Sequence, residues 1–435
     1  MRPALIVALL AAALVPARAG AGEPDPYLSL QWGLRVVEAE AARAVSTGEG
    51  MVVAVIDTGV DAAHPDLRGR VLPGKDLVDD DLDARDRNGH GTLVAGIVVA
   101  AVDNGVGVAS VAPGVTVLPV RVLDEDGTGS SDDVADGIRW ATEQGVDIVN
   151  LSLAQEADGL LGNLLRDPAV DDAIGDAAAA GALVVVAAGN DPDGGANRTA
   201  YDATKPGVLV VGATTKGDRL AAYSNHGEGL DLVAPGGGSA TDPSDDACAR
   251  SNGIVSTWWN PETEGSAYGA GCGTSMSVGF VSGVGAMLMA RGFSNVEAAA
   301  RILQTTDDLG PAGPDDRTGA GRLNARRAMG APRLQTDQPP AVRVRGTRTA
   351  RPEVRAQASA RGAVRPAGEA SGGATVARGR GRTVPPLSAL ALPSDLDASR
   401  GGQLAYRLTA ACLLVLLVVA HVRRFGRRSA RGPLS

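Results

Sequence analysis

Val53-Ala54-Val55-Ile56-Asp57-Thr58-Gly59 decides how the rest of the chain is read. An apolar, largely β-branched run without polar alternation predicts a strand buried on both faces, and it ends in a carboxylate and a glycine turn. Working outward, the runs Val52–Ile56, Val115–Val120, Ile148–Leu151, Leu183–Ala187 and Val208–Val211 have the same character. Between them Asp132–Glu143, Ala169–Ala180 and Ser277–Ala290 carry helical patterns. This alternation predicts an α/β domain over residues 50–330: a mostly parallel sheet between helices, with functional groups at the carboxyl ends of the strands. Residues 20–49 are expected to pack on it as an N-terminal extension.

Three further segments end a strand or open a helix with a reactive group. Asn88-Gly89-His90-Gly91-Thr92 places an imidazole at a helix start, and Gly273-Thr274-Ser275-Met276-Ser277 does the same for a hydroxyl. Val184-Val185-Val186-Ala187-Ala188-Gly189-Asn190 ends a buried strand in an amide. A serine hydroxyl becomes a good nucleophile only when an imidazole takes its proton, and the imidazole needs a carboxylate to fix its tautomer. An amide donor beside the serine N–H suits the oxyanion of a tetrahedral intermediate.

Taken singly these triplets are common; in this order, each in the context its role requires, they resemble the signature blocks of the subtilase family of serine peptidases. The likeness runs from about Asp25 to Arg327 and includes Val108-Ala109-Ser110-Val111-Ala112-Pro113, Tyr223-Ser224-Asn225-His226-Gly227 and Val233-Ala234-Pro235-Gly236. The resemblance implies a subtilisin-like three-layer fold and a serine endopeptidase with Asp57, His90 and Ser275 as triad and Asn190 as oxyanion donor. It implies a polypeptide substrate bound in extended form against Gly127, Gly129, Ser152, Leu153 and Ala154, with Ala188 and Gly189 on the opposite wall. No cofactor is expected for the chemistry. A structural Ca²⁺ on Asp25, Asp66 and Asn104 is implied, the competing reading being that Asp66 and Asn104 cap turns. The run Asp79-Asp80-Asp81 with Asp83 and Asp86 reads as a solvated loop, a second cation being the alternative.

The chain departs from the family pattern at Ser277, where alanine is usual, at Gly279, where proline is usual, and at Ala154, where glycine is usual. The short stretch ahead of the first strand leaves no expected inhibitory propeptide. Two enzyme alternatives fail on residues: an aspartic peptidase needs a second Asp-Thr-Gly or Asp-Ser-Gly, and an α/β-hydrolase needs Gly-x-Ser-x-Gly. The rival of another class is a catalytically silent, membrane-anchored binding module, which predicts a lost triad member.

The ends set the expected compartment. Arg2, the apolar run Ala4–Val15 and Ala17-Arg18-Ala19 predict a signal peptide over residues 1–19. Residues 331–403 are Arg-, Ala- and Pro-rich without periodicity and predict a disordered stalk. Residues 404–422 are long enough for a tilted transmembrane helix if Arg407 snorkels, and the tail at 423–435 carries Arg423, Arg424, Arg427 and Arg428, expected on the cytoplasmic side. The layout resembles the mycosins. Charge divides accordingly: residues from 331 onward hold 18 Arg and 5 acidic residues, whereas the chain as a whole holds 41 basic and 50 acidic. The acidic outer part argues against nucleic-acid partners. Cys412 falls in the span; Cys248 and Cys272 lie outside, where oxidation predicts a disulfide, two free buried thiols being the alternative.

Overall fold

Successive residues of the first strand face different cores. In β1 (Val52–Asp57), Val53 and Val55 point into one apolar cluster while Ala54 and Ile56 point into another. That is the period-two alternation of a strand covered on both faces. The computed structural model describes residues 22–153, 165, 167–191, 201, 205–242, 248 and 251–330.

The remaining strands of the sheet are β2 (Lys75–Asp76), β3 (Thr116–Arg121), β4 (Ile148–Leu151), β5 (Leu183–Ala187), β6 (Val208–Thr214) and β7 (Leu232–Pro235). They pair in the order β2-β3-β1-β4-β5-β6-β7, every pairing parallel. The carboxyl ends of β3, β1, β4 and β5 therefore stand side by side along one edge. Asp57, Ser152 and Asn190 end or follow three of those strands.

Helices α4 (Ser131–Glu143) and α5 (Pro168–Ala179) cover one face through Val134, Ile138, Val170 and Ile174. Helices α3 (His90–Val99), α6 (Thr274–Ala290) and α7 (Asn295–Leu303) cover the other. Each of these three layers was expected. Every residue of α3 is buried, because the antiparallel hairpin β8 (Ile254–Asn260) and β9 (Gly265–Gly271) closes over its outer side. Neither the hairpin nor β7 was predicted as strand. Gly265-Ser266-Ala267-Tyr268-Gly269-Ala270-Gly271 has no apolar alternation, and the hairpin is held by side chains instead: Thr257 Oγ1 and Ser256 Oγ donate to the Thr92 and Leu93 carbonyls at 2.6 and 2.8 Å.

The N-terminal segment belongs to the same core. After a 3₁₀ turn at Leu28–Leu30 come α1 (Trp32–Val36) and α2 (Ala39–Arg43). Trp32, 2% exposed, packs on α6 and donates its indole N–H to the Gly253 carbonyl at 2.9 Å. At its far end Glu38 pairs with Arg326 and accepts from Asn324, joining α2 to α8 (Ala325–Gly330). Residues 22–49 thus tie the two ends of the domain together. Cys248 and Cys272 form a disulfide with 5.8 Å between Cα atoms.

No helix among the described residues is long and apolar enough to cross a membrane. The proposed signal peptide at 1–19, stalk at 331–403, span at 404–422 and tail at 423–435 lie outside the described residues, as does Ala154.

Candidate active site

Asp57 ends β1 in the core with no exposed surface, and His90 opens α3 beside it. His90 Nδ1 lies 2.7 Å from Asp57 Oδ1. An ionised carboxylate only accepts, so Nδ1 carries the proton and Nε2 is free to act as a base. Burial alone would push the imidazole down, but the charges of Asp57 and Asp86 and the hydrogen bond to Asp57 outweigh it, and His90 sits above its ordinary value. Asp57 Oδ1 also accepts from Thr58 N at 2.7 Å, which fixes the carboxylate from its own chain.

Ser275 is the second residue of α6, 1% exposed. Gly273 is the N-cap, with φ of 152°. The positions of the two helices follow from glycine. A Cβ on Gly279 would stand 3.2 Å from Ile97 Cγ2 and 3.5 Å from the Val94 carbonyl oxygen, so α3 and α6 touch closely there. One turn earlier on each helix are Ser275 and His90, which brings the hydroxyl to the imidazole's side of the site. The glycine at 279, a departure from the family pattern, accommodates Ile97. The other departure, Ser277, is paired: its hydroxyl donates to the Ala234 carbonyl at 2.9 Å.

The Ser275 hydroxyl makes no hydrogen bond to His90. It donates to the Ser152 carbonyl at 2.9 Å, while Ser152 Oγ donates to the Ser275 carbonyl at 3.1 Å. Behind this pair Asn150 links β4 to α6: its Nδ2 donates to Ser152 Oγ and its Oδ1 accepts from Ser282. The serine–imidazole hydrogen bond expected for a poised triad is therefore absent in this conformer. Serine has three staggered χ1 wells, and changing wells re-aims the oxygen without moving the helix.

Asn190 follows β5 and Gly189, whose φ is 103°. Its Oδ1 accepts from Thr274 N at 3.0 Å and Thr274 Oγ1 at 2.9 Å. A backbone N–H can only donate, so this fixes the amide's orientation and turns Nδ2 the other way, beside Gly273, where it makes no hydrogen bond among the described residues. The result is a donor aimed across the start of α6, whose helix dipole favours negative charge.

The expected substrate edges flank this centre. Gly127, with φ of 74°, is in an exposed turn tied to the histidine loop by Asn88 Nδ2, which donates to the Glu125 carbonyl at 2.9 Å. Gly129 lies tight on Val122, where a Cβ would stand 2.3 Å from a carbonyl oxygen. Ser152 and Leu153 continue β4, and buried Ala188 faces them from the end of β5.

Asp25, Asp66 and Asn104 also meet. Asp25 accepts from Asp103 N and Asn104 N, and Asp66 accepts from Asn104 Nδ2 at 2.9 Å and Val108 N at 2.9 Å. Burial pushes both carboxyls up, and Asp66 adds to the rise at Asp25. Neither forms an ion pair among the described residues. The acidic loop behaves differently: Asp79 pairs with Arg121 and Arg87, Asp80 with Lys75, and Asp83 with Arg85. Those carboxylates are neutralised by side chains, which disfavours the second-cation reading. Asp86 is not in that solvated loop at all; it is 1% exposed beneath the histidine. Sequence reasoning missed its role, and also those of Thr58, Thr92 and Thr274, since nothing in a lone polar residue marks it as a spoke of a buried network.

Comparison with known proteins shows the family to which the chain is related. Residues 48–321 match the Subtilase family. A thermophilic serine proteinase of Bacillus sp. (strain AK1) is 37% identical over 304 residues, covering 70% of this chain and 68% of that protein. Thermitase of Thermoactinomyces vulgaris is 35% identical over 306 residues, covering 70% of this chain and 98% of its own. Among solved structures, a protease from Pseudoalteromonas arctica PAMC 21717 superposes with a TM-score of 0.59 at 31% identity, covering 71% of this chain and 98% of its own.

Proposed function

The chain belongs to the subtilase family and is a serine endopeptidase, and we propose that Asp57, His90 and Ser275 are its catalytic triad with Asn190 as oxyanion donor. The observation that supports this is the 2.7 Å contact of His90 Nδ1 with buried Asp57, which leaves Nε2 as the nitrogen available to act as base. Ser275 Oγ leaves the Ser152 carbonyl, gives its proton to His90 Nε2 and attacks the substrate carbonyl. The new oxyanion is held by Asn190 Nδ2 and the Ser275 N–H. His90 then returns the proton to the leaving amine, giving an acyl-enzyme that water hydrolyses. Labelling by a fluorophosphonate probe, mapped to the Ser275 peptide and abolished in Ser275→Ala, tests this. A wild-type chain that fails to label would favour the catalytically silent binding module.

The substrate is read as an extended polypeptide of secreted or surface proteins, laid between Gly127–Gly129 and Ser152–Ala154, with Ala188 and Gly189 opposite. Residues 1–19 act as an export signal and 404–422 as a single C-terminal span, leaving the peptidase outside the cell membrane. Support comes from the apolar runs and the four arginines at 423, 424, 427 and 428. Protease added to intact cells is expected to degrade the domain and spare a short C-terminal fragment in the membrane fraction. Recovery of the whole chain from the soluble fraction would contradict the tether.

Asp25, Asp66 and Asn104 fit a structural Ca²⁺. Two buried carboxylates bridged through Asn104, neither in an ion pair among the described residues, form a hard-oxygen site whose charge a divalent ion would offset. Asn104 would join as ligand by turning its amide over. Calcium at 100 times its dissociation constant is expected to stabilise the fold by about 2.7 kcal/mol, read as a fall in Tm on adding chelator. The response should vanish in Asp66→Asn. Identical melting with and without calcium would remove the site.

A further inference from the structure

We propose that Asp86 is a positioning residue for His90: a buried carboxylate that pins the end of β1 to the first turn of α3 and neutralises the positive end of that helix beneath the imidazole. The proposal rests on the triad reading above and adds to it a group that reading does not use.

Asp86 accepts five hydrogen bonds. Its Oδ1 takes Thr58 Oγ1 at 2.9 Å, Asn88 N at 2.9 Å and Gly89 N at 2.8 Å. Its Oδ2 takes Thr92 N at 2.9 Å and Thr92 Oγ1 at 2.6 Å. Two of these donors pass the constraint on. Thr58 Oγ1 accepts from Gly91 N at 3.0 Å, and Thr58 N holds Asp57 Oδ1. Thr92 Oγ1 accepts from Asp61 N at 3.0 Å. Asp57 and His90 therefore sit on two segments riveted through one carboxylate. Burial pushes the Asp86 carboxyl above its ordinary value, and the hydrogen bonds from Thr92, Gly89 and Asn88 work against that rise and favour the charged form.

The helix start explains why an acid is needed. Gly89 is the N-cap of α3, with φ of 113° and no side chain to cap with. A Cβ there would meet the Trp259 carbonyl oxygen at 2.5 Å and the Trp258 ring at 2.7 Å, so no serine or aspartate fits. The N–H groups of Gly89 and Thr92 are left to Asp86. His90, as the first residue of α3, sits on the helix's positive end, which disfavours the imidazolium that catalysis must form. Asp86 offsets that field from below.

The charged groups facing the ring are few. Asp57 from β1 and Asp86 are the two acids that raise it. Across β3, Arg121 turns to Asp76 and Asp79. On the hairpin, Thr257 bonds the Thr92 carbonyl and Trp258 lies against Gly89; both are uncharged.

The test compares full-length wild type, Asp86→Asn and Asp86→Glu in pH profiles of kcat/KM on a peptide substrate. The acid limb reports His90 in the free enzyme. In Asp86→Asn it should move to lower pH by about one unit, and plateau kcat should fall about ten- to a hundredfold with KM unchanged. Asp86→Glu, which keeps the charge, should hold the limb near the wild-type position. An Asp86→Asn limb that coincides with wild type overturns the proposal, whatever its kcat. Should Asp86→Asn not fold, Thr58→Val decides: a lower kcat at unchanged KM, restored in Thr58→Ser, supports the rivet, and a wild-type kcat overturns it. Wild-type hydrolysis that does not depend on Ser275 would instead sink the triad reading, so the two failures are separable.

Discussion

Ser275→Ala is expected to lower kcat for peptide hydrolysis roughly a millionfold, with His90→Ala close behind, the size of loss known for a subtilisin. The two losses should not add: without the hydroxyl the imidazole has no proton to take, and without the imidazole the hydroxyl remains a poor nucleophile. Folding should survive the serine change, because Ser275→Ala removes one hydrogen bond, to the Ser152 carbonyl, at the start of a helix otherwise anchored along its length in the core. The wild-type pH profile carries the same logic. His90 is raised by Asp57 and Asp86 despite burial, and it must be neutral to act as base. Activity should therefore be lost as pH falls through a value above 6.5, the ordinary imidazole value. Steady-state hydrolysis by purified protein measures both effects; a double variant much worse than either single one would contradict a shared proton-transfer unit.

Asn190→Ala should cost about a hundred- to a thousandfold in kcat with little change in KM, the range for one oxyanion donor. The loss arises because Nδ2 donates only to charge that develops in the transition state; the ground-state amide is held through Oδ1 by Thr274 N and Oγ1. Asn190→Asp separates donor from scaffold. A carboxylate keeps the shape and still accepts both Thr274 bonds, but it turns a negative oxygen toward the oxyanion, so it should be at least as slow as alanine. An aspartate variant near wild-type rate would mean that Asn190 only anchors the start of α6.

What was legible in the sequence followed from how strongly each feature is forced. Val52–Ile56 and Leu183–Ala187 read as strands because a strand covered on both faces has little choice but unbroken apolar residues. The order β3-β1-β4-β5 then sets the ends of neighbouring strands together, so residues more than a hundred positions apart meet without local trace. Helix α3 reads as apolar rather than amphipathic for a reason outside itself: the β8–β9 hairpin covers its last open face. That hairpin was not legible, since glycine-rich β9 has no apolar pattern of its own: it pairs along its length with β8, whose Thr257 and Ser256 bond the α3 carbonyls. Asp86 looked like one more member of an acidic loop. Only its position at the capless start of α3 distinguishes it from Asp79, Asp80 and Asp83, which pair with basic side chains.

The central claim is that Ser275, His90 and Asn190 converge on one reacting carbon. A crystal structure of the phosphonylated enzyme tests it most directly. Phosphorus is expected on Ser275 Oγ, with the phosphonyl oxygen within hydrogen-bond reach of Asn190 Nδ2 and Ser275 N and the Ser152 carbonyl released. An adduct on another residue, or a phosphonyl oxygen pointing away from Asn190 with His90 out of reach, would contradict it.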